Sequence, residues 1–140
     1  QRVSKLINNK MTRNTRIFSD IDLNFTAHPV TKDITRRYDE NAVKSALKNL
    51  IFTSNYERPF HSEIGSPIRA MLFEPQSPLT SASIRRAIFD MIQSFEPRVT
   101  VTEVAVSYNP DDNAVSVKID FKIINTERPL SVDLVLERTR

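Results

Sequence analysis

Between Asp39 and Phe52 the apolar residues Val43, Ala46, Leu47, Leu50 and Ile51 return at steps of three and four, separated by Lys44, Ser45, Lys48 and Asn49. That spacing predicts a helix with one buried face. Asp39 suits its N-cap, and Glu40 adds favourable charge near the positive end. A second, short helix is expected from Ser66-Pro67, a cap followed by proline at the first helical position, through Phe73, with Pro75 and Pro78 closing it. The third is the clearest. Behind Thr80 as cap, Ile84, Ala87, Ile88, Met91, Ile92 and Phe95 form a stripe, while Arg85, Arg86, Asp90 and Gln93 lie off it. Phe89 falls outside the stripe, which fits a second internal contact better than a partner-facing aromatic.

This helix has to stop at Phe95-Glu96-Pro97-Arg98, because proline brings no N–H for another helical bond and disfavours helical angles at the residue before it. Beyond Arg98 the period falls to two. Val115, Val117, Ile119, Phe121 and Ile123 alternate with Ser116, Lys118, Asp120 and Lys122, the pattern of a strand with one buried and one wet face. Val99 and Val101 share one phase and Val104 and Val106 the other, so a bulge or bend is expected around Thr102-Glu103. Asn109-Pro110-Asp111-Asp112-Asn113 supplies turn residues for an antiparallel hairpin. After a second turn at Asn125 to Pro129, Val132, Leu134 and Leu136 read as a third strand. The order predicts an α+β fold, three N-terminal helices packed on a small, mainly antiparallel C-terminal sheet.

Length and composition fit one soluble domain, expected over residues 17–140, with 39% apolar and 26% charged residues. No apolar run reaches membrane-spanning length and no signal-peptide pattern opens the chain, so an intracellular protein without membrane contact is expected. The net charge of +3 gives no mandate for nucleic-acid binding. Residues 1–16 alone carry five bases and no acid, and read as an extended basic arm. The chain begins with Gln, and Met11 offers a natural start, so the first ten residues are set aside for function.

The same composition removes most chemistry. No cysteine and only His28 and His61 exclude thiolate and multi-histidine metal sites. One glycine, Gly65, excludes phosphate-cradling loops, so no nucleotide or other cofactor is expected. Ser62 beside His61 lacks any sign of a nucleophile elbow. A glycosidase needs only two carboxyls, and Glu63, Glu74 and Glu96 could supply them. Without tryptophan and with three tyrosines, a saccharide cleft is poorly provided for, and capping or salt-bridging acids are the better reading.

Phe18-Ser19-Asp20-Ile21-Asp22, Arg58-Pro59-Phe60 with Glu63 and Gly65, Leu72-Phe73-Glu74, Pro78-Leu79-Thr80 and Phe95-Glu96-Pro97-Arg98 occur in an order and spacing that resembles the small baseplate wedge subunit of contractile-tailed phages. The type VI secretion baseplate component belongs to the same family, and some members are labelled lysozyme-like. The resemblance runs from about Met11 to the C-terminus. It implies a non-enzymatic, structural protein of the virion tail baseplate, assembled in the host cytoplasm. Its implied partners are larger wedge proteins that form a helical core bundle, the tail sheath subunit, and hub or tube-proximal proteins, in a hetero-oligomeric sixfold assembly. Under the resemblance Glu96, Pro97 and Arg98 dock on the core bundle, with Arg58, Pro59, Phe60, Glu63 and Gly65 as motif support. Residues 114–124 or 131–137, including Val115, Val117, Ile119, Val132 and Leu134, would face the sheath, whose arms could add strands to the sheet edge. Two alternatives stay open: Arg98 pairing internally with Glu63 or Glu74, and a peptidoglycan-cleaving hydrolase built on the paired carboxylates.

Overall fold

The computed structural model describes residues 17–109, 114–124 and 128–137. The basic arm at 1–16 and most of both predicted turns lie outside them. The elements run β1 (Ser19–Ile21), β2 (Arg36–Tyr38), α1 (Asp39–Phe52), α2 (Ile68–Met71), α3 (Pro78–Phe95), β3 (Val99–Asn109), β4 (Ala114–Ile123) and β5 (Pro129–Glu137). This corrects the expectation of three N-terminal helices. An antiparallel pair, β1 and β2, precedes the helices, and α2 is a single four-residue turn, so two substantial helices occupy the middle of the chain. Three-residue strands are too short to display a period-two pattern, which needs four to eight positions. Past Met71 the chain tightens into turns, with the Phe73 N–H on the Ala70 carbonyl at 3.2 Å and the Glu74 N–H on the Met71 carbonyl at 3.1 Å, so Leu72 and Phe73 leave the helix ahead of Pro75.

The C-terminal sheet is antiparallel in the order β3-β4-β5. Its inner face carries Val104, Val115, Val117, Ile119, Phe121, Ile123, Leu130, Val132, Leu134 and Leu136, all buried. They share one core with Val43, Leu47, Leu50 and Ile51 of α1, Ile68 of α2 and Ile84, Ile88, Met91 and Ile92 of α3. The β3–β4 register pairs Val101 with Phe121 and then Glu103 with Asp120, leaving Thr102 as the extra residue. That bulge moves Val104 and Val106 back onto the face shared by Val99 and Val101, so one side of β3 stays apolar throughout.

The caps differ from the expected ones. Ser77 caps α3, its Oγ accepting from the Thr80 N–H at 3.1 Å, with Pro78 at the start of the helix. Thr80 is buried inside the first turn and donates its hydroxyl to the Pro75 carbonyl at 2.8 Å. Asp39 opens α1 at φ 45°, and its Oδ1 accepts from the N–H groups of Ile17 at 2.8 Å and Phe18 at 3.2 Å. It therefore ties the start of β1 to the helix instead of capping it; Tyr38 holds the N-cap position.

A candidate docking corner

α3 ends with the Glu96 N–H on the Ile92 carbonyl at 2.8 Å; Pro97 then has no N–H to extend the ladder. Glu96 leaves the helix at φ −125°, ψ 78°, and the Arg98 carbonyl accepts from the Ile124 N–H at 2.9 Å, which pins the corner to the end of β4. Within it Arg98 forms a two-pronged contact with Glu96, Nε to Oε1 at 2.6 Å and Nη2 to Oε2 at 2.7 Å. Both carboxylate oxygens are engaged, the geometry in which an arginine–carboxylate pair is strongest. The Glu96 side chain is 8% exposed and that of Arg98 26%. Hydrogen bonding to Glu96 pushes the Arg98 guanidinium above its ordinary value, with Asp20 contributing less.

The remaining partners come from the far end of the chain. Nη1 of Arg98 reaches Oδ2 of Asp20 at 3.5 Å, and the guanidinium carbon lies 5.5 Å from the centre of the Phe18 ring. Phe18-Ser19-Asp20 and Glu96-Pro97-Arg98, separated by most of the domain in sequence, thus form one constellation. β1 is positioned for this by the Asp39 contacts and by Asp22, which takes Arg37 Nη2 at 2.9 Å while Arg37 Nη1 bonds Ser45 Oγ of α1 at 2.7 Å. The Asn24 backbone N–H, with Arg37 assisting, holds the Asp22 carboxyl below its ordinary value. The corner opens into a groove of about 520 Å³, bordered by Asp20, Ile21, Leu23, Asn49, Arg58 and Arg98. Ile21 and Leu23 are 58% and 54% exposed there, so the groove offers apolar contact beside a fixed charge.

The internal pairing of Arg98 with Glu63 or Glu74 is not formed: its partners are Glu96 and Asp20. Glu63 instead lies 3.1 Å from His61 Nδ1, both exposed. Of the motif-support residues, Arg58 reaches the groove, whereas Phe60 stands fully exposed at φ 69°. Gly65 is buried where the 53–66 loop closes on itself, with the Ser66 N–H on the Thr53 carbonyl at 2.8 Å. A Cβ on Gly65 would stand 2.5 Å from the Ser54 carbonyl oxygen, so the close backbone approach requires glycine.

The strand residues need a correction too. β4 is the central strand, paired on both sides, and Val115, Val117 and Ile119 point into the core, so residues 114–124 carry no edge. Among the described residues only β5 of the two stretches has an unpaired side, and there Val132 and Leu134 are also core residues. β3 supplies the sheet's other edge. Phe89, 36% exposed, borders a groove along the β3 bulge.

Both Glu96 oxygens are committed to Arg98, and a backbone N–H holds the exposed Glu63 below its ordinary value, with His61 assisting. Asp20 and Phe18 are the functional candidates that the linear reading leaves without a role, although both lie in a motif it singles out. A family profile described as baseplate wedge protein gp25 matches residues 37–128. The baseplate wedge protein gp25 of Enterobacteria phage T4 is 32% identical over 110 residues, spanning 79% of this chain and 83% of that protein. In fold, the chain is similar to a putative tail lysozyme from Geobacter sulfurreducens, with TM-score 0.64 and 15% identity over 70% of this chain and 89% of that one. It is also similar to a chain of the anti-feeding prophage baseplate, with TM-score 0.62 and 18% identity over 88% and 87%.

Proposed function

The chain belongs to the baseplate wedge protein gp25 family and is a structural component of the virion tail baseplate, and from that premise we propose that the Arg98 corner is where it docks on larger wedge proteins. The observation that carries this is the fixed guanidinium. Glu96 is spent on orienting Arg98, Pro97 sets the turn, and the outward side of Arg98 lies in an open groove with Ile21, Leu23 and Arg58. A side chain already immobilised loses little entropy when a partner arrives, and a charge flanked by apolar surface gives such a contact both orientation and burial. Glu96 is then a positioning residue, and Arg98 with Arg58 the contacting pair.

The sheet serves a second partner. One face is wet and, among the described residues, the outer side of β5 is unpaired, which suits strand addition; that the added strand comes from the sheath subunit, and that the assembly is a sixfold hetero-oligomer, is carried by the family resemblance. The reading is non-enzymatic, supported by the engagement of Glu96 and the lowered Glu63. The test of docking is capture of the larger wedge proteins from a tail-assembly lysate by the full chain, with Arg98→Lys and Arg58→Glu variants compared. Lysine keeps the charge but cannot reproduce the fork, so both variants are expected to fold with native circular dichroism and lose capture. Undiminished capture by the folded variants would contradict the assignment.

A further inference from the structure

The loop over residues 53–66 is closed at its base and strained at its tip. The Ser66 N–H bonds the Thr53 carbonyl at 2.8 Å, the Tyr56 N–H the Ser62 carbonyl at 3.1 Å and the Ile64 N–H the His61 carbonyl at 3.1 Å, so its own backbone holds its shape. Glu57 adds a side-chain contact, its Oε2 accepting from the Ser54 N–H at 2.7 Å. Within this frame Tyr56 and Phe60 sit at φ 66° and 69°, in the left-handed region that glycine and asparagine enter most easily. The two residues are 84% and 100% exposed.

Nothing inside the domain accounts for Phe60. Glycine would make the same turn without strain, and a residue with its whole surface in water adds no burial to folding. Single apolar residues on a surface are ordinary, but an aromatic one that buries nothing and stands on left-handed backbone is disfavoured twice over. What offsets that strain lies outside the chain.

The neighbours of Phe60 indicate what meets it. Arg58 and Ile64, on either side of it in the loop, both line the groove at Arg98, so the stretch that carries Phe60 leaves the groove wall and returns to it. Pro59 has a fixed φ and disfavours helical angles at Arg58, which stiffens the step from groove to ring. Glu57 is engaged by Ser54 and Glu63 by His61, whereas Arg58 has no acid paired with it among the described residues. Resting on the docking corner above, we propose that Phe60 is an anchor that enters an apolar pocket of the larger wedge protein covering the groove, with a carboxylate at the pocket mouth facing Arg58. Aromatic side chains have few rotatable bonds, and one already held outward by the backbone loses little freedom on burial.

The test compares the full chain with its Phe60→Ala, Phe60→Leu and Phe60→Gly variants as bait for the larger wedge proteins of a tail-assembly lysate, identified by mass, with the bait titrated to half-maximal capture. Phe60→Ala and Phe60→Gly should need at least about tenfold more bait, and Phe60→Leu, which keeps apolar bulk, less than about threefold more. Urea unfolding separates this from damage to the fold. Phe60→Gly relieves the left-handed backbone and removes no buried contact, so its midpoint should lie at or above that of the wild type. Leu79→Ala, 77% exposed at the opposite end of α3 from Glu96, should leave capture unchanged. Capture of Phe60→Ala at the wild-type bait concentration, a Phe60→Gly midpoint below the wild type, or equal loss with Leu79→Ala overturns the anchor. A photo-crosslinking amino acid at position 60, set beside one at Asn49 in assembled tails, keeps the two readings apart. Both positions joined to the same larger wedge protein is the expected result. Crosslinking from 49 but not from 60, or from 60 to a second copy of this chain, overturns the anchor and leaves the corner standing. Crosslinking from 60 to a wedge protein, with undiminished capture by Arg98→Lys, sustains the anchor and counts against the corner alone. Neither position joined to a wedge protein overturns both.

Discussion

Arg98→Ala is the most informative single change, because it asks whether the docking corner is also a structural joint. It leaves Glu96, 8% exposed at the side chain, without the group that occupies both its oxygens. Breaking a buried ion pair from one side costs about 3–5 kcal/mol, since the orphaned charge keeps its desolvation penalty. Arg98 is 26% exposed, so water can reach the vacated side and screens part of that cost; about 2–3 kcal/mol is expected. Glu96→Ala removes the buried charge along with the pair, and the double substitution should cost less than the sum of the singles by about 1–2 kcal/mol. Asp20→Asn, at 3.5 Å and on a 37% exposed side chain, should cost under about 0.5 kcal/mol. Urea unfolding of the full chain, with the slope checked for constancy, reads all four. An Arg98→Ala cost within about 0.5 kcal/mol of zero, or additivity of the two singles, would refute the joint.

Two further outcomes follow from local geometry. Gly65→Ala sets a methyl 2.5 Å from the Ser54 carbonyl and should destabilise by about 1–3 kcal/mol, seen as a lower urea midpoint at unchanged slope; an unchanged midpoint would contradict the close approach. Asp22 is held below its ordinary value, so its stabilisation is fully present above about pH 4 and is lost as pH falls through the depressed folded value. The stability gap between wild type and Asp22→Asn should therefore close between neutral and strongly acid pH in a urea series, and a constant gap would contradict the assignment.

Much of the sheet is legible in the chain because it is buried on one side only. Val99, Val101, Val104 and Val106 reveal the bulge through their change of phase, since core-facing positions tolerate no slip. The same alternation cannot say which strand is central: it reports the face of Val115 and Val117, not the neighbours of their backbone. β1 and β2 escape detection by their length, and they carry Asp20 to Arg98 and Asp22 to Arg37. That convergence is a tertiary fact with no local periodicity behind it. The Glu96 partner was nearer to hand. Glu96 and Arg98 stand two apart in a tight turn with Pro97 between them, closed by the Val99 N–H on the Glu96 carbonyl at 3.2 Å, and so short a turn keeps their opposite charges within reach of each other.

The central claim is that the groove at Arg98 is covered by a larger wedge protein in the assembled baseplate. Asn49 borders that groove on α1 without belonging to the ion-pair cluster, and a photo-crosslinking amino acid placed there can report what lies across it. Irradiation of assembled tails should join residue 49 to a larger wedge protein. A residue 49 that crosslinks only within its own chain, in baseplates shown to contain it, would contradict the account.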